Sequence, residues 1–250
     1  MTDFSYQLYS SRNFPPLSDT LKMVANAGYK QVEGYGGLYA NPGDLNQLKA
    51  DLDANGLTMP TGHFSLEMVR DTPDRVLEIA KTLGLKAVFV PAVGPDQRKQ
   101  DAKGWAALGN TLAEAGKPIQ DAGLTYGWHN HAFEFVDTGG DDMPLDLILG
   151  GGDLAWEFDV AWCVKGGQDP LQWLEKYRDR IFAAHVKDIA PEGECTDEDG
   201  WADVGHGTMD WAGIMTALRS TPCRYFVMEH DNPSDHARFA RRSIASAQSY

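Results

Sequence analysis

Thiols are scarce in this chain: three cysteines, Cys163, Cys195 and Cys223, lie far apart with no C-x-x-C spacing. That excludes a disulfide framework and a thiolate zinc site, and a reducing compartment fits best. Positive charge is also in short supply, with 22 Lys and Arg against 36 Asp and Glu and a formal net charge of -14. Apart from Arg238, Arg241 and Arg242 near the C-terminus there is no basic cluster, so neither nucleic acid nor an anionic membrane is an expected partner. No apolar run approaches the roughly 18 residues needed to span a bilayer, and the opening MTDFSYQLYS has no basic n-region. The expected location is the cytoplasm. No linker rich in Pro, Gly or Ser divides the chain, so one domain over 1–250 is expected.

What is present supports a substantial core: 42% hydrophobic residues and seven tryptophans. Short apolar segments alternate with longer amphipathic ones, the rhythm of repeated βα units. Eight strands are expected, at 5–9, 31–34, 59–63, 87–91, 125–129, 155–158, 181–186 and 225–229. Helices are expected at 17–27, 45–55, 73–83, 105–122 and 171–177, and the acidic stretch 191–203 reads as a long loop. Gly28, Gly56, Gly84 and Gly123 each follow a helical stretch, where glycine can take the left-handed conformation that closes it. Eight such units in 250 residues favour an α/β fold of the single (β/α)8 TIM-barrel type over an open doubly wound sheet.

In such barrels the working residues sit at the carboxyl ends of the strands. The stretch Trp128 to Phe135, WHNHAFEF, places His129, His131 and Glu134 at the end of strand five. Later runs end on Asp159, His185 with Lys187, and Glu229, and earlier ones on Glu33 and His63. Imidazole and carboxylate donors on one strand-end ring suit a divalent ion such as Mn2+, Zn2+, Co2+ or Mg2+.

The segments YQLYSSR, HNHAFEF, EFDVAW, HVKD, GTMDW and MEHD, in this order, resemble the sugar phosphate isomerase/epimerase family of xylose-isomerase-like barrels. The resemblance implies a barrel with a divalent metal, often manganese, held by groups from strands five to eight. Here these would be Glu134, Asp159, His185 and Glu229, with His129 and His131 as competing candidates for the strand-five position. The chain departs from relatives in having His129 where they end strand five on glutamate, and His206 before GTMDW where they tend to have glutamate.

The chemistry expected of such a site is proton transfer on a keto-sugar or polyol through a metal-stabilised enediolate. Glu134 and Glu229 are the expected proton carriers, with His131 as a further acid or base and Lys187 neutralising developing charge. His63, Glu33, His129 and Trp162 are expected to contact substrate. Isomerisation or epimerisation is the leading reading. Loss of a leaving group from the same enediolate would make a keto-sugar or keto-inositol lyase or dehydratase. A non-catalytic sugar-binding barrel and an endonuclease are weaker alternatives, the last opposed by the acidic charge. The expected partner is a small sugar; a homo-oligomer is left open.

Overall fold

The computed structural model describes residues 3–40 and 44–250. Among them, strands β1 (Phe4–Gln7), β2 (Gln31–Gly34), β3 (Thr58–His63), β4 (Ala87–Val90), β5 (Thr125–His129), β6 (Ala155–Asp159) and β7 (Ile181–Val186) run parallel around a closed barrel. A short antiparallel pair, β8 (Asp188–Ile189) with β9 (Trp201–Ala202), then projects from the end of β7. The barrel closes through β10 (Tyr225–Met228), which pairs with β7 on one side and β1 on the other. This is the expected eight-stranded architecture. No helix among the described residues is long and apolar enough to cross a membrane.

Side chains alternate across each strand, and the alternation sorts the chemistry. Val88, Val90, Tyr126, Trp128, Trp156 and Phe158 face outward into the main apolar core beneath the helices. Fully burying side chains of this kind contributes about 1.5–3 kcal/mol each. The inward set is different: Ala87, Phe89 and Ala183 form a small separate apolar plug. Above it the barrel holds Gln7, Glu33, His63, His129, Glu157, Asp159 and His185, all buried. The outer shell therefore carries the hydrophobic stabilisation, which leaves the upper lumen free to be polar.

Local signals place these elements. The long helix Ala102–Asp121 starts where Asp101 accepts a hydrogen bond from the Gly104 amide and buries Trp105, Leu108, Leu112 and Ile119. The four helix-closing glycines all take positive φ, from 65° at Gly56 to 107° at Gly28. The first strand ends earlier than expected, because the Gln7 side chain accepts from the Tyr9 amide at 3.0 Å and starts a 3-10 turn over Leu8–Ser11. The stretch 191–203 is not wholly loop: it contains a 3-10 turn, Thr196–Glu198, and β9. Asp188 anchors the segment that follows, its carboxylate accepting from the amides of Ile189, Gly205, Gly207 and Met209 at 2.8–3.2 Å.

Candidate metal and substrate site

The inward residues at the carboxyl ends of β6, β7 and β10 converge. Asp159 is the last residue of β6, and its Oδ1 accepts from the Trp162 amide at 2.8 Å, capping the helix Val160–Lys165. Its Oδ2 is buried without a hydrogen-bond partner among the described residues. Lys187 Nζ lies 3.4 Å from that atom, His185 Nδ1 3.9 Å and His129 Nε2 4.0 Å. Glu229 follows β10 and brings Oε2 to 2.9 Å from His185 Nδ1. Asp159, His185 and Glu229 thus offer one donor atom each within 4.8 Å of one another, a grouping that could hold a metal ion.

Asn130, the middle residue of HNH, fixes the height of this ring. Its Oδ1 accepts from the Asp159 amide at 3.0 Å and from Trp156 Nε1 at 2.9 Å. Its Nδ2 donates to the Asp159 carbonyl at 3.0 Å. These bonds tie the end of β5 to the end of β6.

Below the ring lies a second layer. His63 Nε2 is 2.5 Å from Glu157 Oε2 and 3.2 Å from Glu33 Oε1. His129 Nδ1 is 3.1 Å from Glu157 Oε2, and His185 Nε2 is 2.8 Å from Glu33 Oε1. His63, His129, Glu157 and His185 form a second grouping with metal-compatible spacing.

Burial and charge set the protonation of these groups. Burial alone would lower His185, but Glu157, Glu229 and Glu33 outweigh it and raise it well above the ordinary range. Burial pushes His129 well down, helped by the imidazoles of His185 and His63. Glu229 is held well below the ordinary carboxylate range, because Lys187 and His185 overcome its desolvation. Burial raises Glu157, aided by the charge of Glu33. Glu33 itself is lowered, since the attraction of His63 and His185 overcomes its burial. Burial would lower Lys187, but Asp231, Glu229 and Asp159 together raise it, so its ammonium stays charged.

The ring opens into a cavity of about 510 Å³. Its lining includes Tyr9, Arg12, Tyr35, His63, His131 and Trp162. His131 Nδ1 and Trp162 Nε1 are buried there without hydrogen-bond partners among the described residues. Burial, with the nearby Lys187 charge, drops His131 to about 3 and so keeps it neutral at physiological pH.

The structure brings together Asp159, His185, Glu229, Lys187, His129 and His63, and it lines the cavity with His131 and Trp162. Two of the expected residues stand elsewhere. Glu134 is fully buried in the 3-10 turn Ala132–Phe135. Its oxygens accept from Trp128 Nε1 and the His131 amide, both at 2.9 Å, and since Trp128 points outward from β5, Glu134 is held on the helix side of the barrel wall. The expected ligand and proton-carrier roles of Glu134 therefore lack the required position. Glu33, expected to touch substrate, is instead sealed in the lower layer beneath His63 and His185. The residues not singled out from sequence are Glu157, Asn130 and Asp231. Glu157 had a legible signal: it lies two residues before Asp159 on one strand, hence on the same inward face.

A family model described as the xylose isomerase-like TIM barrel matches residues 21–249. Among curated proteins, the chain is similar to an inosose dehydratase of Clostridium botulinum (strain Alaska E43 / Type E3), with 26% identity over 188 residues. The match covers 68% of this chain and 62% of that protein, so the chain spans less than two thirds of this relative's length. Among solved structures, a sugar phosphate isomerase/epimerase from Parabacteroides distasonis ATCC 8503 superposes with a TM-score of 0.82 at 21% identity, covering 99% of this chain and 93% of that one. The IOLI protein with a bound zinc atom superposes with a TM-score of 0.69 at 17% identity, covering 99% of this chain and 96% of that one.

Proposed function

Because this chain belongs to the xylose isomerase-like TIM-barrel family, we propose that it is a divalent-cation-dependent enzyme that enolises a small keto-sugar or keto-polyol. One observation carries the reading: Asp159, His185 and Glu229 converge at the foot of the cavity, with Asp159 Oδ2 buried and without a hydrogen-bond partner among the described residues. The donor set fits a cation of the Mn2+ or Zn2+ kind, being carboxylate and imidazole without thiolate. Asp159 Oδ2, His185 Nδ1 and Glu229 Oε2 would hold it, with His129 Nε2 filling the strand-five position in place of Glu134. A bound cation supplies Lewis acidity toward a ketone oxygen and its neighbouring hydroxyl.

The chain's own residues supply the rest. His63 has Nε2 committed to Glu157 and Glu33, so Nδ1 is the nitrogen available to the cavity, where it moves the proton on the carbon next to the carbonyl. Trp162 Nε1 donates to a substrate hydroxyl, and neutral His131 binds a second through Nδ1. Lys187 stays charged beside Glu229 and offsets negative charge that develops on the substrate. Return of the proton by His63 to the adjacent carbon completes an isomerisation, and delivery of a proton from solvent to the opposite face completes an epimerisation.

Dehydration is the second reading, favoured by the similarity to an inosose dehydratase. It needs only that the enediolate expel the hydroxyl on the next carbon before reprotonation. Proton NMR in D2O with a panel of keto-sugars and keto-inositols, and with Mn2+ present, tests both. The expected result is exchange of the proton next to the carbonyl, abolished by chelator and slowed at least about 100-fold in Asp159→Asn. A new diastereomer identifies the epimerase and an unsaturated ketone the dehydratase. Absence of exchange in every candidate, with the cation demonstrably bound, would sink the enolisation reading.

A further inference from the structure

Glu33 and Glu157 face each other low in the barrel from β2 and β6, sealed from solvent and out of reach of any substrate in the cavity. Carboxylates are costly to bury, so a pair kept here requires partners that repay desolvation. Apart from each other, the partners of one oxygen of each are ring nitrogens and an amide: Glu33 Oε1 meets His185 Nε2 at 2.8 Å, His63 Nε2 at 3.2 Å and Gln7 Nε2 at 2.7 Å. Glu157 Oε2 meets His63 Nε2 at 2.5 Å, His129 Nδ1 at 3.1 Å and His185 Nε2 at 3.5 Å. Each histidine therefore turns one nitrogen down to a carboxylate. The other nitrogen of two of them is turned up: His185 Nδ1 stands 2.9 Å from Glu229 Oε2, and His129 Nε2 stands 4.0 Å from Asp159 Oδ2.

We propose that Glu33 and Glu157 are positioning residues, a carboxylate floor that fixes the ring orientation and tautomer of His63, His129 and His185 together. A neutral imidazole carries one N–H, and the nitrogen facing a carboxylate keeps it. His129 meets a carboxylate at hydrogen-bond distance only through Nδ1, which places its proton there and turns Nε2 toward Asp159; His185 meets Glu33 through Nε2 and Glu229 through Nδ1, so a cation held by Glu229 would take the Nδ1 lone pair while Glu33 keeps the proton on Nε2. The two imidazoles thus present different nitrogens, because His129, in register with Glu157, meets the floor through Nδ1 and His185, in register with Asp159, meets it through Nε2. The stacking of His63 on His185, with ring centroids 5.4 Å apart and 10° between planes, leaves the rings little room to reorient. Gln7 extends the floor by holding Glu33 toward the histidines.

The floor rests on the proposed role of the upper ring for its purpose, but its geometry can be tested without catalysis. Long-range 1H–15N correlation spectra of the imidazoles, recorded on the parent, Glu33→Gln and Glu157→Gln with and without zinc, report each tautomer directly. In the zinc-loaded parent, His185 is expected as the Nε2–H form and His129 as the Nδ1–H form. In Glu33→Gln the His185 signals are expected to shift toward a mixture, and in Glu157→Gln those of His129, while zinc affinity measured by chelator competition falls about 10- to 100-fold in each. Glu33→Asp, whose shorter side chain keeps the charge, is expected to recover part of the affinity. Unchanged tautomers and zinc affinity within twofold of the parent in both variants would overturn the floor. So would two zinc ions per chain with both rings deprotonated toward the glutamates, which would make the lower layer a cation site. A protein that shows these tautomers and this zinc dependence yet exchanges no substrate proton retains the floor and loses the enolisation reading.

Discussion

Replacing Asn130 with alanine removes three hydrogen bonds from a fully buried site, and the partners stay behind. Trp156 Nε1 and the Asp159 amide lose their acceptor, and the Asp159 carbonyl loses a donor. A buried polar group left unsatisfied costs about 1–3 kcal/mol. Three would cost about 3–9 kcal/mol, but a water admitted to the vacated polar space can satisfy one or two of them, and the one or two left unsatisfied cost about 2–4 kcal/mol. In a chain of this size each kcal/mol lowers Tm by about 2–4 °C, which makes the expected drop about 10 °C. Asn130→Asp keeps the acceptor oxygen for both N–H groups but sets a buried carboxyl against the Asp159 carbonyl, so its loss should grow as pH rises above the ordinary carboxylate range and the group is forced to ionise. Thermal and urea unfolding of both variants measure this. Because Asn130 fixes the backbone of Asp159, zinc affinity should fall in Asn130→Ala even at temperatures where the protein is fully folded. A melting temperature within about 2 °C of the parent, with unchanged zinc affinity, would refute the claim that Asn130 sets the height of the ring.

Three other outcomes follow from the structure. Glu134→Gln should lower stability by about 1–3 kcal/mol, since an amide nitrogen now faces the Trp128 or His131 N–H, yet leave zinc affinity within twofold in a chelator competition. Gly127→Ala would place a Cβ 1.9 Å from the Ala155 carbonyl oxygen where β5 meets β6, and should cost at least about 3 kcal/mol in urea unfolding or abolish soluble expression. Glu198 is buried, and although burial would raise its carboxyl, hydrogen bonds from Ser234 and Arg238 hold it below the ordinary range. Its stabilisation is then full above the unfolded value of about 4.3 and is lost as pH falls through the lower folded value, so the Tm gap between parent and Glu198→Gln should shrink steadily below about pH 4.

The elements most legible in the sequence are those whose cause is local. Helices closed by Gly28, Gly56, Gly84 and Gly123 are marked where a residue of positive φ is needed, and the structure has positive φ at each. Strands were legible as short apolar runs, and the rule that active groups gather at strand carboxyl ends drew attention to Asp159, His185 and Glu229, which do converge. The helix His236–Ala247 was not anticipated, because apart from alanines only Phe239 and Ile244 of its 12 residues are apolar and mark a face among charged neighbours.

Glu134 and Glu157 show where one-dimensional reading stops. Glu134 lies five residues beyond His129 and reads as part of one cluster, but the chain turns after β5 and returns the glutamate to the outward side, under the Trp128 indole. Glu157 sits in a run that reads as apolar, yet strand alternation turns it inward with Asp159, toward histidines 28 and 94 residues away in the chain. By itself the sequence determined the repeat of strand and helix, the acidic balance and the residue types available at the strand ends, because these depend on composition and short-range periodicity. Which face of the barrel wall each carboxylate occupies, and which nitrogen of each histidine it meets, was decided only when closure of the barrel brought β2, β3, β5, β6 and β7 around one axis, since hydrogen bonds of about 3 Å between distant segments exist only in that arrangement.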